Sequence, residues 1–140
     1  MTSHVLLDTG PLVAVINRRD RFHEWARTRF GQIAPPLLTC EAVLAEACFL
    51  LRAHPGGSEA VLEFVQRGLV KTAFRLEEQA GPVRKLISKY ATVPMSLADA
   101  CLVRLSEIES QGVILTLDSD FRIYKRHGRQ TIPLIAPEQE

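Results

Sequence analysis

The sequence predicts an α/β fold, with a central, mainly parallel sheet covered by helices on both faces. Three observations carry that expectation. Short apolar runs such as Val5-Leu6-Leu7 and Val113-Ile114-Leu115-Thr116-Leu117 have the length and continuity of buried strands. Segments with helical periodicity separate them, the pattern of a parallel sheet with helical crossovers. Asp8 and Asp118 then fall directly after two of these runs, at strand carboxyl ends, where open parallel sheets bind ligands.

The elements follow in order. Val5-Leu6-Leu7 ends at Asp8-Thr9-Gly10-Pro11, a turn into a helix with proline in its first turn. Asp20 is placed to cap a second helix with Phe22, Trp25, Ala26 and Phe30 on one face, and Pro35-Pro36 breaks it. Thr39 or Cys40 begins a helix to about Arg52, stopped by His54-Pro55-Gly56-Gly57. Ser58 caps the next, with Val61, Leu62 and Val65 inward and Gly68 near its end. Val70-Lys71-Thr72-Ala73-Phe74 alternates like a strand, and a helix follows from about Glu77 to Tyr90, its start obscured by Gly81-Pro82. Ser96 caps a helix to about Ser110, and Gly112 leads into the strand at 113–117. Asp120 opens a short helix to Arg126, ended by Gly128. Thr131-Ile132-Pro133-Leu134-Ile135 reads as an edge strand, because its proline cannot donate to a ladder.

Composition narrows the class. The 140 residues suit one domain spanning 1–140. A net charge of +1 points to no strongly charged partner. No apolar run approaches the roughly 20 residues that span a bilayer, so no membrane partner is expected. The first residues do not read as a signal peptide. Cys40, Cys48 and Cys101 match neither a disulfide framework nor a zinc pattern and are expected as reduced thiols in a cytoplasmic protein.

The unusual feature is acidic. Asp8, Glu46, Asp99, Asp118 and Asp120 lie inside or directly against apolar runs, and no lysine or arginine in those stretches can pair with them. An unpaired buried carboxylate costs several kcal/mol, so it neutralises or finds a partner. Convergence on a divalent cation resolves this most simply. Mg²⁺ and Mn²⁺ prefer oxygen ligands, and carboxylate-held ions activate water for phosphodiester hydrolysis. Each acid also has a plainer reading. Asp8 can shape a turn, and Glu46 can pair with a base from another helix. Asp99 stands three residues after Ser96, the spacing of a capping box. Asp118 can be a turn residue, and Asp120 a helix cap. Glu41, about 140° around the helix from Glu46, is read as structural.

The motifs resemble those of PIN domains. Leu6-Leu7-Asp8-Thr9-Gly10-Pro11-Leu12 is similar to their opening, and Leu44-Ala45-Glu46 to their helical glutamate. Pro94-Met95-Ser96-Leu97-Ala98-Asp99-Ala100 and Thr116-Leu117-Asp118-Ser119-Asp120-Phe121 resemble their third and fourth acidic motifs. Chain length is most similar to the VapC toxins of toxin–antitoxin pairs. The resemblance implies a three-layer α/β/α sandwich and a Mg²⁺- or Mn²⁺-dependent endoribonuclease. It also implies a homodimer and a cognate antitoxin partner. It assigns Asp8, Glu46, Asp99 and Asp118 as metal-binding and catalytic acids, with Thr9, Thr116 and Asp120 in support. Ser96 departs from a position that is often aspartate in close relatives.

Arg18, Arg19, Arg21, Arg27 and Arg29 form one basic group, and Arg122, Lys125, Arg126 and Arg129 a second. Either is a candidate phosphate contact, although a solvated helix face is the plainer reading. Tyr124 and His127 are candidates to reach a base, and Trp25 reads as core. The specific RNA-binding residues are not legible. Two competing classes are a phospho-receiver module, which needs an early acidic pair and a strand-end lysine absent here, and a non-catalytic PIN domain that only binds RNA or protein. A haloacid-dehalogenase-like phosphatase needs Asp-x-Asp on the first strand, where Gly10 stands instead.

Overall fold

Successive strand residues point to opposite faces of a sheet, and that period of two divides this core into layers. The computed structural model describes residues 4–138. Its elements are β1 (Val5–Leu7), α1 (Thr9–Ile16), α2 (His23–Gln32), β2 (Leu37–Thr39), α3 (Glu41–Leu50), α4 (Gly57–Gln66), β3 (Val70–Thr72), α5 (Leu76–Lys89), α6 (Leu97–Ile108), β4 (Val113–Leu115), a 3-10 helix (Ser119–Arg122), β5 (Lys125–Arg126), β6 (Gln130–Thr131) and β7 (Leu134–Ile135).

Five strands form one parallel sheet in the order β3-β2-β1-β4-β7. Leu6, Leu38 and Ile114 join one apolar cluster with Val83 and Leu86 of α5 and Ala98 to Leu105 of α6. Their neighbours Leu7, Leu37 and Leu115 join a second cluster with Leu12 of α1, Ala47 of α3 and Val61 of α4. Helices therefore cover both faces, giving the three-layer sandwich expected from the sequence. Counting only strands of this sheet, the order is 3-2-1-4-5. A receiver-type sheet runs 2-1-3-4-5, so the topology is not that of the signalling module. The chain reverses its direction of travel across the sheet between β1 and β4, and the crevice at their carboxyl ends is a topological switch point.

Several sequence expectations need correction. β2 was not anticipated, because a three-residue strand with every residue buried shows no alternation. Asp20 does not cap α2 directly; its carboxylate accepts from the Phe22 amide in a turn, and the helix begins at His23. α4 begins at Gly57, behind Gly56 in a left-handed conformation (φ 74°), rather than after a Ser58 cap. Leu62 is 60% exposed instead of inward. α5 carries Pro82 inside it and starts before Gly81. The strands at 70–74 and 113–117 are shorter than expected. The helix expected over 120–126 is a 3-10 turn, and β5 and β6 form an antiparallel hairpin. That hairpin turns through His127 (φ 52°) and Gly128 (φ 79°). Glycine supports positive φ without Cβ strain, so Gly128 closes a hairpin rather than a helix. The final strand is the shorter β7, at a sheet edge as expected. α6 begins behind Ser96 as expected.

Gly112 packs the entry to β4 against its neighbours. A Cβ there would stand 2.8 Å from the Glu109 carbonyl oxygen and 3.2 Å from Leu6 Cδ1. Gly112→Ala is therefore expected to destabilise the fold by about 1–3 kcal/mol, the usual cost of overpacking, read as a lower midpoint in urea. An unchanged midpoint would show that the 109–112 turn relaxes freely.

Candidate functional site

Asp8 follows the last residue of β1, and its backbone amide donates to the Leu115 carbonyl at 3.1 Å, extending the β1–β4 ladder. The side chain is thereby fixed at the switch point while remaining only 4% exposed. Thr9 N donates to its Oδ1 at 2.8 Å and the Thr116 hydroxyl to its Oδ2 at 2.6 Å. Thr116, fully buried on the chain just past β4, also accepts from the Asp118 amide at 2.9 Å. One hydroxyl therefore couples two of the acids.

The remaining acids are held by comparable local devices. Glu46, halfway along α3, accepts from the Thr9 hydroxyl at 2.6 Å. Ser96 and Asp99 form a reciprocal capping box at the start of α6, with bonds of 3.0 and 3.2 Å. Tyr124, whose hydroxyl donates to Pro94 O at 2.6 Å, also reaches Asp99 Oδ2 at 3.3 Å. Asp118 caps the 3-10 helix, accepting from the Asp120 amide at 2.9 Å.

Asp8, Glu46, Asp99, Asp118 and Asp120 line a common cleft of about 800 Å³, with Thr9 and Ser96. Leu50, Met95 and Leu117 supply apolar wall that the sequence did not reveal. No basic residue lines this cleft among the described residues. Thr116 does not line it; it lies beneath and holds Asp8 from below. Tyr124 is buried and braces Asp99, so it is not placed to meet a base. The backbone amide of exposed His127 is bonded to Glu107 at 2.7 Å. Glu41 begins α3 on an exposed position, as expected of a structural residue. No signal in the sequence marked Tyr124 as the brace of Asp99, because 25 residues separate the pair.

The electrostatics follow from crowding like charges in a dry place. Burial pushes the Asp8 carboxyl up to about 7, with Asp99 and Asp118 adding repulsion; the Thr116 and Thr9 hydrogen bonds oppose the shift. Asp99 is raised as well, chiefly by burial and then by Asp118, against the bonds from Ser96 and Tyr124. Burial, then Asp99 and Asp120, drives the Tyr124 hydroxyl above its ordinary value and keeps it a donor. Among the described residues, no three acidic, histidine or cysteine side chains close on one point as a bound ion requires. The acids stand instead along the walls of one cleft. Their oxygen-only donor set and mutual repulsion fit a hard divalent cation, which would relieve both burial and repulsion.

An open parallel sheet with carboxylates gathered at its switch point defines an α/β protein with an acidic crevice. The PIN domain family model matches residues 5–126, and the chain belongs to that family. Among solved structures it is similar to VapC20 of Mycobacterium tuberculosis, a sarcin–ricin-loop-cleaving toxin, at 18% identity and a TM-score of 0.71. That likeness covers 83% of this chain and 91% of the toxin. No curated protein sequence matches the chain. No helix among the described residues is long and apolar enough to cross a membrane.

The raised Asp8 carboxyl has a consequence for stability. Unfolded, Asp8 loses its proton near pH 4; folded, it keeps it to about pH 7. Between these values the folded state binds more protons, so stability falls as pH rises. In EDTA, the wild type should lose on the order of 2 kcal/mol relative to Asp8→Asn between pH 4.5 and 7.5. Urea denaturation at both pH values measures it, and parallel behaviour of the two proteins would contradict the shift.

Proposed function

We propose that this chain is a divalent-metal-dependent endoribonuclease acting as the toxin of a toxin–antitoxin pair. The observation that carries the reading is the single cleft lined by Asp8, Glu46, Asp99, Asp118 and Asp120 with no basic residue among them. Membership of the PIN family and the likeness to a toxin that cleaves the sarcin–ricin loop support it.

Asp8, Asp99, Asp118 and Glu46 are the residues that would hold Mg²⁺ or Mn²⁺. When bound, such an ion offsets their charge, activates water and stabilises the leaving oxygen of a phosphodiester. Hydrolysis adds water across one P–O bond: the water oxygen joins phosphorus and the leaving sugar oxygen gains a proton. The chain's own contribution is positioning. Thr116 fixes Asp8 and the backbone of Asp118. Thr9 fixes Glu46, and Ser96 with Tyr124 fixes Asp99. Such outer contacts orient acidic ligands and hold them before substrate arrives. Asp120 fixes Asp118 through its amide, leaving its own side chain at the cleft as a supporting acid.

The proposed partners are RNA, a cognate antitoxin and a second copy of the chain in a cytoplasmic setting. In support of a protein partner, α3 and α4 pack together and expose Phe49, Leu50 and Leu62. The second reading, a PIN module that binds without cutting, has no specific observation in its favour, since the acidic set is complete.

Purified protein free of antitoxin should cleave RNA in Mg²⁺ or Mn²⁺ and stop in EDTA. Asp8→Asn and Asp99→Asn should each lower the rate at least a hundredfold at unchanged folding, the loss expected when a metal ligand or its support is removed. Gel assays on structured and single-stranded RNA read the result. Full activity of both variants would refute these ligand assignments; inactive wild type with no metal binding by calorimetry would favour the non-catalytic module.

A further inference from the structure

The two arginine-rich groups of the sequence are separated by roughly a hundred residues, and the acidic cleft uses neither. The fold brings one member of each together. Arg21, from the turn before α2, and Arg122, from the end of the 3-10 helix, line a second cleft of about 620 Å³ with Phe22 and Trp25. This cleft is continuous with the acidic one, because Leu117 and Asp118 line both.

The lining has two chemistries. Phe22 and Trp25 are half-buried and offer ring surface at the cleft. The Arg21 guanidinium stands 5.0 Å from the Phe22 ring centroid, and that of Arg29 stands 5.7 Å from the Trp25 centroid. Arginine stacked on a ring keeps its forked donors available for phosphate. Arg21 and Arg122 are exposed and take part in no ion pair among the described residues. Asp118 and Glu138 also line the cleft and balance the two arginines in formal charge. Recognition there rests on local phosphate contacts and stacking, and not on a broad positive field.

Rings beside phosphate-binding arginines are what one nucleotide of a single strand requires. We propose that this second cleft is a nucleotide subsite, in which a base flanking the scissile phosphodiester rests against Phe22 and Trp25 while Arg21 and Arg122 hold the adjoining phosphates. The proposal rests on reading the acidic cleft as a ribonuclease site. It assigns Trp25, whose apolar helix face marks it as core by sequence, a second role at the surface.

Trp25 is the chain's single tryptophan, so its fluorescence reports on this cleft. The probe is a random-sequence single-stranded RNA hexamer, with an abasic ribose-phosphate hexamer as control, titrated into the Asp8→Asn protein in Mg²⁺. The RNA should quench the tryptophan, and the abasic control should quench it far less. Adding Arg21→Glu and Arg122→Glu should weaken RNA binding at least tenfold and reduce its salt dependence by about one unit of log–log slope. In the otherwise wild-type protein the same pair should raise KM on a cleaved RNA with kcat little changed. Circular dichroism checks that the variants fold.

RNA binding by anisotropy without quenching, and indifferent to charge reversal, would overturn the subsite while leaving the nuclease intact. Absence of RNA binding would overturn it too, as would quenching by an acidic peptide but not by RNA, which would assign the cleft to a protein partner. Failure of the nuclease reading is separate: wild type would cut nothing in either metal, whatever the tryptophan reports.

Discussion

A carboxylate at the end of the central strand, almost wholly removed from water, is the constraint around which the site is arranged. Asp8 is tied to the sheet through its amide and to two neighbouring segments through its side chain. Neither of its hydrogen-bond donors is charged, so burial wins and the carboxyl is pushed up to about 7. Hydrogen bonds to a charged group contribute about 2 kcal/mol each. They hold the geometry without fully offsetting desolvation. The residue that anchors the β1–β4 switch point is thus also the residue least comfortable when ionised, a combination that structural turn residues rarely need and that functional sites use.

The other acids show why structural and functional readings of one residue are not alternatives here. Asp99 completes a capping box with Ser96, and both bonds it accepts fall on Oδ2. Asp118 caps a 3-10 helix through Oδ1. Each local device satisfies a backbone donor at an element's start and, by the same act, aims a carboxylate into the cleft. The capping function fixes the side chain's rotamer, and the fixed rotamer is what a preorganised site requires. Tyr124 and Thr116 work from below as braces, reaching across 25 and 108 positions of chain to do so.

The second cleft extends this logic along the carboxyl edge. Leu117 and Asp118, immediately after the central β4 strand, form the shared wall between carboxylates on one side and rings with arginines on the other. Cleaving a nucleic acid needs both chemistries within one nucleotide's reach: charge compensation at the scissile phosphate and a grip on what flanks it. Neither basic group of the sequence would suffice alone, since each contributes only one arginine to the cleft.

Residue pattern by itself determined the α/β class, the capped start of α6 and the acids that line the cleft. These were legible because each depends on local chemistry: an apolar run ending in aspartate, a Ser-x-x-Asp cap, a glutamate within an apolar helix. Tertiary structure alone decided the rest. β2 and the β5–β6 hairpin escaped notice because strands of two or three residues are made by their partners in the sheet, not by their own periodicity. Leu62 looked inward by helical spacing, but α4 packs with that position toward solvent. Thr116 was read as part of the site surface, and only the fold shows it buried beneath Asp8. Charges that are far apart in sequence meet only when the crossovers close, so neither the Arg21–Arg122 cleft nor the Tyr124 brace left a mark that spacing could reveal. A carboxylate's local setting is written in its neighbours, whereas its partners across the fold are chosen by packing.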